Sequence, residues 1–190
     1  MPNIGIITFP IGDSGVMPLS NLIDILYPLS NDTYLITGNA GYSFFKEKNE
    51  IHAYGVEHKK GKNAFARIVN YVWTQLRISC RLVKLSRNVD IWIFFIGGED
   101  LLLPMLAAKF FRKKVILVLA GFPEKVAETR TDALLEPIGI LGKIGLFLSN
   151  TIVVYSKRII NERKLGKYQS KISIAHRHFL DFNSFKIKRK

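Results

Sequence analysis

The sequence is short of cysteine, and this shortage excludes two kinds of site. Cys80 is the only cysteine in the chain, so neither an intramolecular disulfide nor a cysteine-rich metal site can form. A single cysteine fits a reducing, cytoplasmic compartment, and we expect Cys80 to be a small buried apolar residue. Because His58, His176 and His178 have no cysteine or carboxylate at ligand spacing, we predict no metal site.

Two common motifs for cofactor binding and catalysis are also missing. No G-x-G-x-x-G fingerprint is present, which argues against binding of NAD. No G-x-S-x-G elbow is present, which argues against a Ser-His-Asp hydrolase of the α/β type. We therefore expect this chain to hold no cofactor of its own.

Long uninterrupted apolar runs are absent as well. The N-terminus has neither a basic region nor a long apolar segment, so we do not expect a signal peptide. Residues 89–111 are mostly apolar, but a glycine pair and two carboxylates lie at their centre. A membrane-spanning helix would not place these groups there, so strand, turn and helix is the better interpretation. Residues 137–155 contain Lys143 and three glycines, and we interpret them as a helix followed by a strand.

Acidic residues are scarce, and the balance of charge is strongly positive. The chain has 28 Lys and Arg against 15 Asp and Glu, a formal net charge of +13 at pH 7. Such an excess favours a polyanionic neighbour: nucleic acid, an anionic membrane or a phosphorylated ligand. No acidic residue occurs between His58 and Val89. The basic residues that we expect to contact an anion or a membrane there are Lys59, Lys60, Lys62, Arg67, Arg77, Arg81 and Lys84.

The absence of nucleic-acid-binding motifs beside these basic residues helps to identify the anion. No recognisable RNA- or DNA-binding motif is present, so we expect nucleic acid not to be the partner. Membrane phospholipid or a lipid-pyrophosphate sugar acceptor suits the basic segment better. We therefore expect a cytoplasmic protein that is peripheral on the inner face of the cell membrane.

Short apolar runs alternate with helical patterns along the chain. The alternation predicts parallel βαβ units with right-handed crossovers, and hence a doubly wound, Rossmann-like α/β domain with a mostly parallel sheet over residues 1–190. The predicted strands are residues 4–9, 33–37, 50–56, 89–96, 114–119, 151–155 and 172–175.

The longest predicted helix covers residues 64–86, with Asn63 as its N-cap. Its apolar side chains fall on one helical face, which we expect to face the core. The basic side chains Arg67, Arg77, Arg81 and Lys84 are expected on the opposite, solvated face. The apolar residues are Phe65, Ile68, Val69, Val72, Leu76, Cys80 and Val83.

Ligands of parallel sheets bind outside the carboxyl ends of the strands, which directs attention to three predicted loops at residues 12–15, 97–100 and 121–123. In the first loop, backbone N–H groups could approach a phosphate at a helix N-terminus. The alternative is a tight turn that needs a flexible backbone. In the second loop, Glu99 or Asp100 could accept a proton from an acceptor hydroxyl. The alternative, which we favour, is that Asp100 caps the next helix.

Residues 4–15 are predicted to be a strand, a glycine-bearing loop and a helix; residues 90–121 add a predicted strand, a glycine pair, a helix and a strand ending in glycine. Together with residues 150–185, these segments resemble the N-terminal, acceptor-side domain of family 4 glycosyltransferases, which have the GT-B architecture. In residues 150–185, Ser156 matches the serine at a strand end, Asp181 the aspartate of a turn and Phe185 the phenylalanine that follows. The chain departs from the family at residues 120–121, where Ala-Gly replaces His-Gly, and at residues 176–178, where His-Arg-His replaces Asn-Gly-Val.

The resemblance implies one half of a GT-B enzyme that transfers a sugar from a nucleotide-sugar to a glycan or a lipid-linked acceptor, in polysaccharide or glycolipid biosynthesis. This half would line the acceptor or its phosphate through Gly12, Ser14, Gly15, Gly97, Gly98, Gly121 and Ser156.

The family's second domain binds the nucleotide-sugar and carries paired glutamates. We expect that domain to begin just after Lys190 and to be absent, so the chain alone would be inactive and its partner would be a donor-binding half or chain. The alternative function is a non-catalytic, membrane-peripheral subunit that recruits a donor-binding chain.

Overall fold

The computed structural model of the chain describes residues 1–59, 61–119 and 135–175, and for residues 135–140 the backbone alone. Its centre is a seven-stranded sheet in which every strand pairing is parallel. The strands are β1 (Ile4–Thr8), β2 (Thr33–Thr37), β3 (His52–Gly55), β4 (Ile91–Phe95), β5 (Lys114–Leu119), β6 (Thr151–Val154) and β7 (Ile172–Ile174).

The helices cover both faces of this sheet, and short 3₁₀ turns lie at Tyr27–Leu29, Gly98–Asp100 and Leu165–Lys171. Among the described residues, no helix combines the length and the apolar character that crossing a membrane requires. The helices are α1 (Asp13–Leu26), α2 (Ala40–Phe45), α3 (Ala64–Leu85), α4 (Leu102–Phe110), α5 (Leu135–Leu148) and α6 (Lys157–Glu162).

The strand order is β3-β2-β1-β4-β5-β6-β7, so the chain starts near the middle of the sheet and winds outward in both directions. Ile4 of β1 is in register with Thr33 on one side and with Ile91 on the other. The order reverses between β1 and β4. In doubly wound sheets the crevice at such a switch point, beyond the carboxyl ends of the strands, is where ligands bind.

The core has two layers, one on each face of the sheet. Under α3 and α4, Trp92 and Phe94 of the sheet pack with Ile78 and Leu82 of α3. On the other face, a separate cluster of buried side chains joins α1 and α2 to the sheet, including Leu19 and Phe45. Because β1 and β2 are buried along their whole length, they are apolar or small at almost every position, as expected for strands covered on both faces.

The predicted fold class is confirmed: the described residues form a doubly wound, Rossmann-like α/β sheet. Residues 89–111 are a strand, a turn and a helix, as expected. Helix α2 was not predicted, because Gly38 and Gly41 on either side of its start are typical of a loop. Gly38 is needed there, since a Cβ atom would lie 1.8 Å from the carbonyl oxygen of Val56.

The orientation predicted for α3 is wrong. The apolar face that we expected in the core is exposed, and Cys80 on that face is exposed too. The residues of α3 that are buried are Thr74, Gln75, Ile78, Leu82 and Leu85.

Hydrogen bonds explain why this mixed face is the buried one. Oε1 of Gln75 accepts from the backbone N–H of Leu103 at 2.9 Å, and Oγ1 of Thr74 lies 2.8 Å from Nδ1 of His58. Since both polar side chains are satisfied inside the fold, burying them carries little cost. The prediction of Asn63 as N-cap is confirmed, because its Oδ1 accepts from Ala66 N–H at 2.8 Å.

Candidate functional site

Two of the predicted site loops, residues 12–15 and 97–100, lie at the carboxyl edge of the sheet, and so does Ser156. Gly12 follows β1 and precedes α1, Gly97 and Gly98 follow β4, and Ser156 follows β6 and precedes α6. The first two loops are in contact, since Phe9 N–H after β1 donates to the carbonyl of Ile96 after β4 at 3.1 Å. The structure therefore brings the first two loops together, while Ser156 lies two strands away.

The loop after β4 is tightly folded. Ile96 has φ 36° and Gly97 has φ 72°, both in the left-handed region that favours glycine. A Cβ atom on Gly97 would lie 2.9 Å from Cβ of Phe9, and one on Gly98 would lie 2.8 Å from Cβ of Phe94. The glycine pair is thus required by backbone conformation and close packing. A role for these two glycines in binding an acceptor stays a prediction.

The loop after β1 is open by comparison. Gly12 occupies the N-cap position of α1 with no side-chain cap, and nothing lies within 4 Å of where its Cβ would be. Ser14 is exposed, whereas a Cβ atom on Gly15 would lie 3.0 Å from Cβ of Ile11. Asp13 places a carboxylate in the first turn, so any phosphate bound here would have to coexist with that charge.

Asp100 is the most perturbed acid of the carboxyl edge. Burial, and secondly the negative charge of Glu99, raise the pKa of Asp100 from 3.8 to about 7, while Arg163 opposes the shift. Glu99 itself is paired, because its Oε2 accepts from Nη1 of Arg163 at 2.6 Å. A carboxyl group with a pKa near neutrality can hold or release a proton at working pH, which is the property that a general base needs.

Helix α5 creates the burial of this carboxyl group. A Cβ atom on Gly142 would lie 3.5 Å from Oδ1 of Asp100, and one on Gly145 would lie 2.3 Å from the carbonyl oxygen of Glu99. The helix backbone can approach the loop after β4 this closely because both positions lack a side chain. The glycines at positions 142 and 145 are therefore explained by packing of the helix against the loop.

The favoured prediction for Asp100, that it caps the next helix, is wrong. Leu101 is the N-cap residue of α4, and no side chain caps it from that position. Instead, Oε1 of Gln75 in α3 accepts a hydrogen bond from the N–H group of Leu103, in the first turn of α4. Asp100 is the last residue of the 3₁₀ turn, and capping does not occupy its carboxyl group.

The sequence reasoning did not find Tyr71 and Arg163 as neighbours of Asp100, and it considered His58 only as a metal ligand. The hydroxyl of Tyr71 donates to the backbone carbonyl of Asp100 at 2.5 Å, and burial followed by the Asp100 charge raises the pKa of Tyr71. The ring of Phe9 contacts both the His58 ring and the Tyr71 ring, with centroid distances of 4.8 Å and 5.8 Å. Only tertiary structure unites these residues, so no local pattern could have found them.

The predicted basic contacts are placed as follows. All of them that the structure describes are exposed, and they lie on α3 or on the segment that leads into it. Lys60 and Gly121 lie outside the described residues, as do residues 176–178, Asp181 and Phe185, which entered the family resemblance. Across residues 1–59, 61–119 and 135–175, no group of three or more His, Cys, Asp or Glu could hold a metal ion. The exposed basic residues are Lys59, Lys62, Arg67, Arg77, Arg81 and Lys84.

Comparison with known proteins gives structural but not sequence relatives. No protein-family model matches the chain, and no curated protein matches it either. Among solved structures, UGT2 of Phytolacca americana, in complex with UDP-2-fluoro-glucose and pterostilbene, superposes with a TM-score of 0.67 at 12% identity, covering 95% of this chain and 55% of that one.

Two further solved structures superpose on the chain in the same way. Anabaena Alr3699/HepE, in complex with UDP and glucose, gives a TM-score of 0.59 at 13% identity over 94% of this chain and 45% of that one. A UDP-N-acetylglucosamine 2-epimerase described as putative, from Listeria monocytogenes, gives 0.55 at 14% identity over 90% and 44%. The chain thus spans about half the length of the structures it matches, and its fold is the Rossmann-like α/β fold found in GT-B enzymes.

Proposed function

We propose that this chain is the acceptor-side half of a GT-B glycosyltransferase, which moves a sugar from a nucleotide-sugar to a glycan or a lipid-linked acceptor. The observation that carries the proposal is the extent of the structural match. It covers nearly all of this chain but only about half of proteins whose structures hold UDP or a UDP-sugar analogue. One Rossmann-like unit with an open carboxyl edge would then face a second unit that holds the donor.

Within this proposal, Asp100 is the general base. Its carboxylate would accept the proton of the acceptor hydroxyl while that oxygen bonds to the anomeric carbon of the sugar, and the nucleotide would leave with the electrons of the broken bond. The pKa of about 7 suits this role, because the carboxylate is available at neutral pH and still holds a proton well. Glu99 is less suited, since Arg163 holds its carboxylate in an ion pair.

The loop after β1 is the place in the proposal where the acceptor or its phosphate would bind. Gly12 and Ser14 are exposed beside the switch point, and Gly12 leaves open space where another residue would carry a side chain. The neighbouring loop after β4 presents Asp100. An acceptor that contacts both loops would bring its hydroxyl to the base.

The donor-binding unit is the partner that the proposal requires. The test is to measure binding of radiolabelled UDP-glucose and UDP-N-acetylglucosamine by the 190-residue chain alone, and then sugar transfer after mixing with a candidate donor-binding chain. We expect the isolated chain to turn over no nucleotide-sugar above background hydrolysis. We expect transfer to appear in the mixture and to fall about a hundredfold or more with Asp100→Asn, as for loss of a general base.

Other results would redirect the proposal. Rapid turnover of a nucleotide-sugar by the chain alone would contradict the acceptor-side assignment. Unchanged transfer by the Asp100→Asn variant in the mixture would support the alternative, a non-catalytic subunit that recruits a donor-binding chain. Glu99→Gln is the comparison variant: it removes the neighbouring carboxylate and keeps Asp100 as a base of lower pKa, so transfer should fall much less than in Asp100→Asn.

A further inference from the structure

Helix α3 exposes a continuous apolar surface that nothing in the described part of the chain covers. We call it the outer stripe. At 100° per residue its side chains fall on one side of the helix, away from the buried face. Phe65 is 77% exposed and Trp73 is 57% exposed. The outer stripe consists of Phe65, Ile68, Val69, Val72, Trp73, Leu76 and Val83. Soluble surfaces rarely leave so many large apolar side chains together, so the stripe indicates a binding surface.

Basic side chains border the outer stripe along one side. In helical projection the side next to the stripe carries Arg77, Arg81 and Lys84. The guanidinium carbon of Arg77 lies 5.8 Å from the ring centre of Trp73. Within the described residues, neither Arg81 nor Lys84 forms an ion pair. We call these three residues the basic border. Their positive charges are therefore available to an external anion.

A groove separates the basic border from the edge strand β3. Its volume is about 720 Å³, and residues of both the border and the outer stripe line it, together with Val56 and Glu57. Glu57 is the acidic side chain in this lining, and Lys59 approaches it, with Nζ 3.5 Å from its carboxylate oxygen. The groove is thus apolar in its interior and positively charged along its rim.

The N-terminal part of α3 also projects past the sheet. Tyr71 meets the carbonyl of Asp100 just after β4, and Thr74 meets His58 just after β3, so this part of the helix is level with the carboxyl edge. The turns from Ala64 to Tyr71 therefore extend beyond that edge. The whole helix has 22 residues, a length of about 33 Å.

We propose that α3 is an interfacial helix that lies on an anionic phospholipid bilayer. The outer stripe enters the boundary between headgroups and acyl chains, and the basic border binds lipid phosphates. An apolar face with an aromatic residue, flanked by cations, is the pattern of helices that lie in the membrane plane. The charge of the chain, +13, complements an anionic leaflet.

The presence of the outer stripe beside the basic border favours lipid over nucleic acid. A nucleic-acid phosphate backbone would neutralise the basic border but would leave the outer stripe in water, whereas a bilayer accommodates both at once. The side-by-side arrangement also differs from the one that the sequence predicted, in which the basic residues lay opposite the apolar ones. This inference does not depend on sugar transfer, because it concerns only where the chain binds.

The first experiment is co-sedimentation of the 190-residue chain with vesicles. We expect binding to phosphatidylcholine vesicles that contain about 30 mol% phosphatidylglycerol, no binding to pure phosphatidylcholine, and release by about 0.5 M salt, which screens exposed charges. Affinity should fall about a hundredfold in Arg77→Glu/Arg81→Glu/Lys84→Glu. The matched control is Lys114→Glu/Lys157→Glu/Lys167→Glu, which changes the net charge equally at exposed positions of β5, α6 and the turn before β7. The control should lose much less affinity.

The second experiment uses the two tryptophans, since Trp73 is exposed and Trp92 is fully buried. Vesicle binding should shift the emission to the blue, and bromines on the upper acyl chains should quench it. Trp73→Phe should abolish both signals while the protein still binds. Phe65→Ser/Trp73→Ser/Leu76→Ser should weaken binding to anionic vesicles although all charges remain. Circular dichroism and thermal unfolding would confirm that each variant is folded.

Three outcomes would overturn the proposal. One is equal vesicle binding by the wild type and the variant of the basic border. Another is a Trp73 that stays fully accessible to aqueous acrylamide while the protein is bound to vesicles. The third is binding of single-stranded RNA that needs the basic border but not the outer stripe, without any binding to vesicles; this result would assign the surface to nucleic acid.

Discussion

The loops after β1 and β4 are neighbours at the carboxyl edge, but Gly12 in the first loop and the glycine pair in the second serve different purposes. In the loop after β4, Gly97 has a positive φ and packs against Phe9, and Gly98 packs against Phe94. In the loop after β1, Gly12 has an extended backbone and open space around it. A loop glycine can therefore be required by a crowded backbone, or it can leave open space at the surface.

The consequence for chemistry follows from this difference. The crowded loop after β4 is covered by α5, and the burial that results raises the pKa of Asp100 to about 7. In our proposal the acceptor binds at the open loop after β1, where nothing lies within 4 Å of a Cβ atom on Gly12. Our proposal uses both features: the reactive carboxyl group of Asp100 is on the loop after β4, and the accessible surface is on the loop after β1. Each of the following substitutions tests one of these features.

The largest effect is expected from Asp100→Asn and depends on pH. Between pH 3.8 and about 7 the folded chain retains a proton on Asp100 that the unfolded chain releases. The contribution of this group to stability is therefore complete below about pH 4 and declines as the pH rises to about 7. We expect the variant to match the wild type near pH 4 and to exceed its free energy of unfolding by on the order of 3 kcal/mol at pH 8.

Urea unfolding across this pH range measures the difference, and titrations of other groups cancel when the two proteins are compared. Parallel stability curves from pH 4 to pH 8 would show that Asp100 is not perturbed. Glu99→Gln provides a second check, because it removes the negative charge nearest to Asp100 and leaves Arg163 beside it. The pKa of Asp100, followed by carbon NMR of its carboxyl group, should then fall.

The next largest effect is expected from Gly145→Ala, compared with Gly142→Ala on the same helix. A methyl group at position 145 would lie 2.3 Å from the carbonyl oxygen of Glu99, so α5 must move away from the loop after β4. We expect a loss of about 2–3 kcal/mol in stability by overpacking. At position 142 the contact of 3.5 Å is ordinary, and the better helix propensity of alanine should stabilise the protein by about 0.5–1 kcal/mol.

Thermal unfolding of the two variants decides this comparison. Equal stability of both would mean that α5 does not pack closely on the loop. The same shift of α5 in Gly145→Ala should expose Asp100 to water and lower its pKa toward the ordinary value, so one variant links the packing to the titration.

A smaller effect is expected from Gly97→Ala, which tests the conformation of the loop rather than its contact with α5. The φ of 72° disfavours alanine, and its Cβ would lie 2.9 Å from that of Phe9. We expect a destabilisation of about 1–2 kcal/mol. Gly97→Asn should lose less, because asparagine tolerates the left-handed region better. A greater loss with asparagine than with alanine in urea unfolding would point to crowding, and not to φ, as the reason for the glycine.

The sheet could be predicted from the sequence because its strands are buried on both faces. Runs such as residues 114–119 are apolar at nearly every position, which is typical of strands that are covered on both faces. The end of each strand then located the carboxyl-edge loops without any tertiary information. The strand order was not predicted, because the alternation of strands and helices indicates parallel pairing but not which strands are neighbours.

The buried face of α3 could not be predicted in the same way. Apolar periodicity identifies the most apolar side of a helix, and here that side is exposed while Thr74 and Gln75 are buried. The partners that make burial of these polar side chains acceptable are His58 and Leu103, far away in sequence. The ion pair between Glu99 and Arg163, 64 residues apart, is beyond local pattern reasoning for the same reason.

The smallest effect on stability is expected from Gly12→Ser, which tests the open loop. The backbone of Gly12, with φ −84° and ψ −177°, already has the extended conformation of an N-cap residue. Serine can adopt this conformation, nothing within 4 Å blocks its Cβ, and its hydroxyl can accept a hydrogen bond from the first turn of α1. We expect an increase in stability of a few tenths of a kcal/mol, measured by thermal unfolding.

Gly12→Ser also tests whether the open space at Gly12 serves acceptor binding. If the open space at Gly12 is there for an acceptor, the serine side chain will occupy it. Sugar transfer by the chain together with a donor-binding partner should then show a higher KM for the acceptor, with kcat nearly unchanged, because Asp100 and its surroundings are untouched. If KM stays the same while stability rises, the loop after β1 is an ordinary helix start, and the acceptor must be held by the other loops of the carboxyl edge.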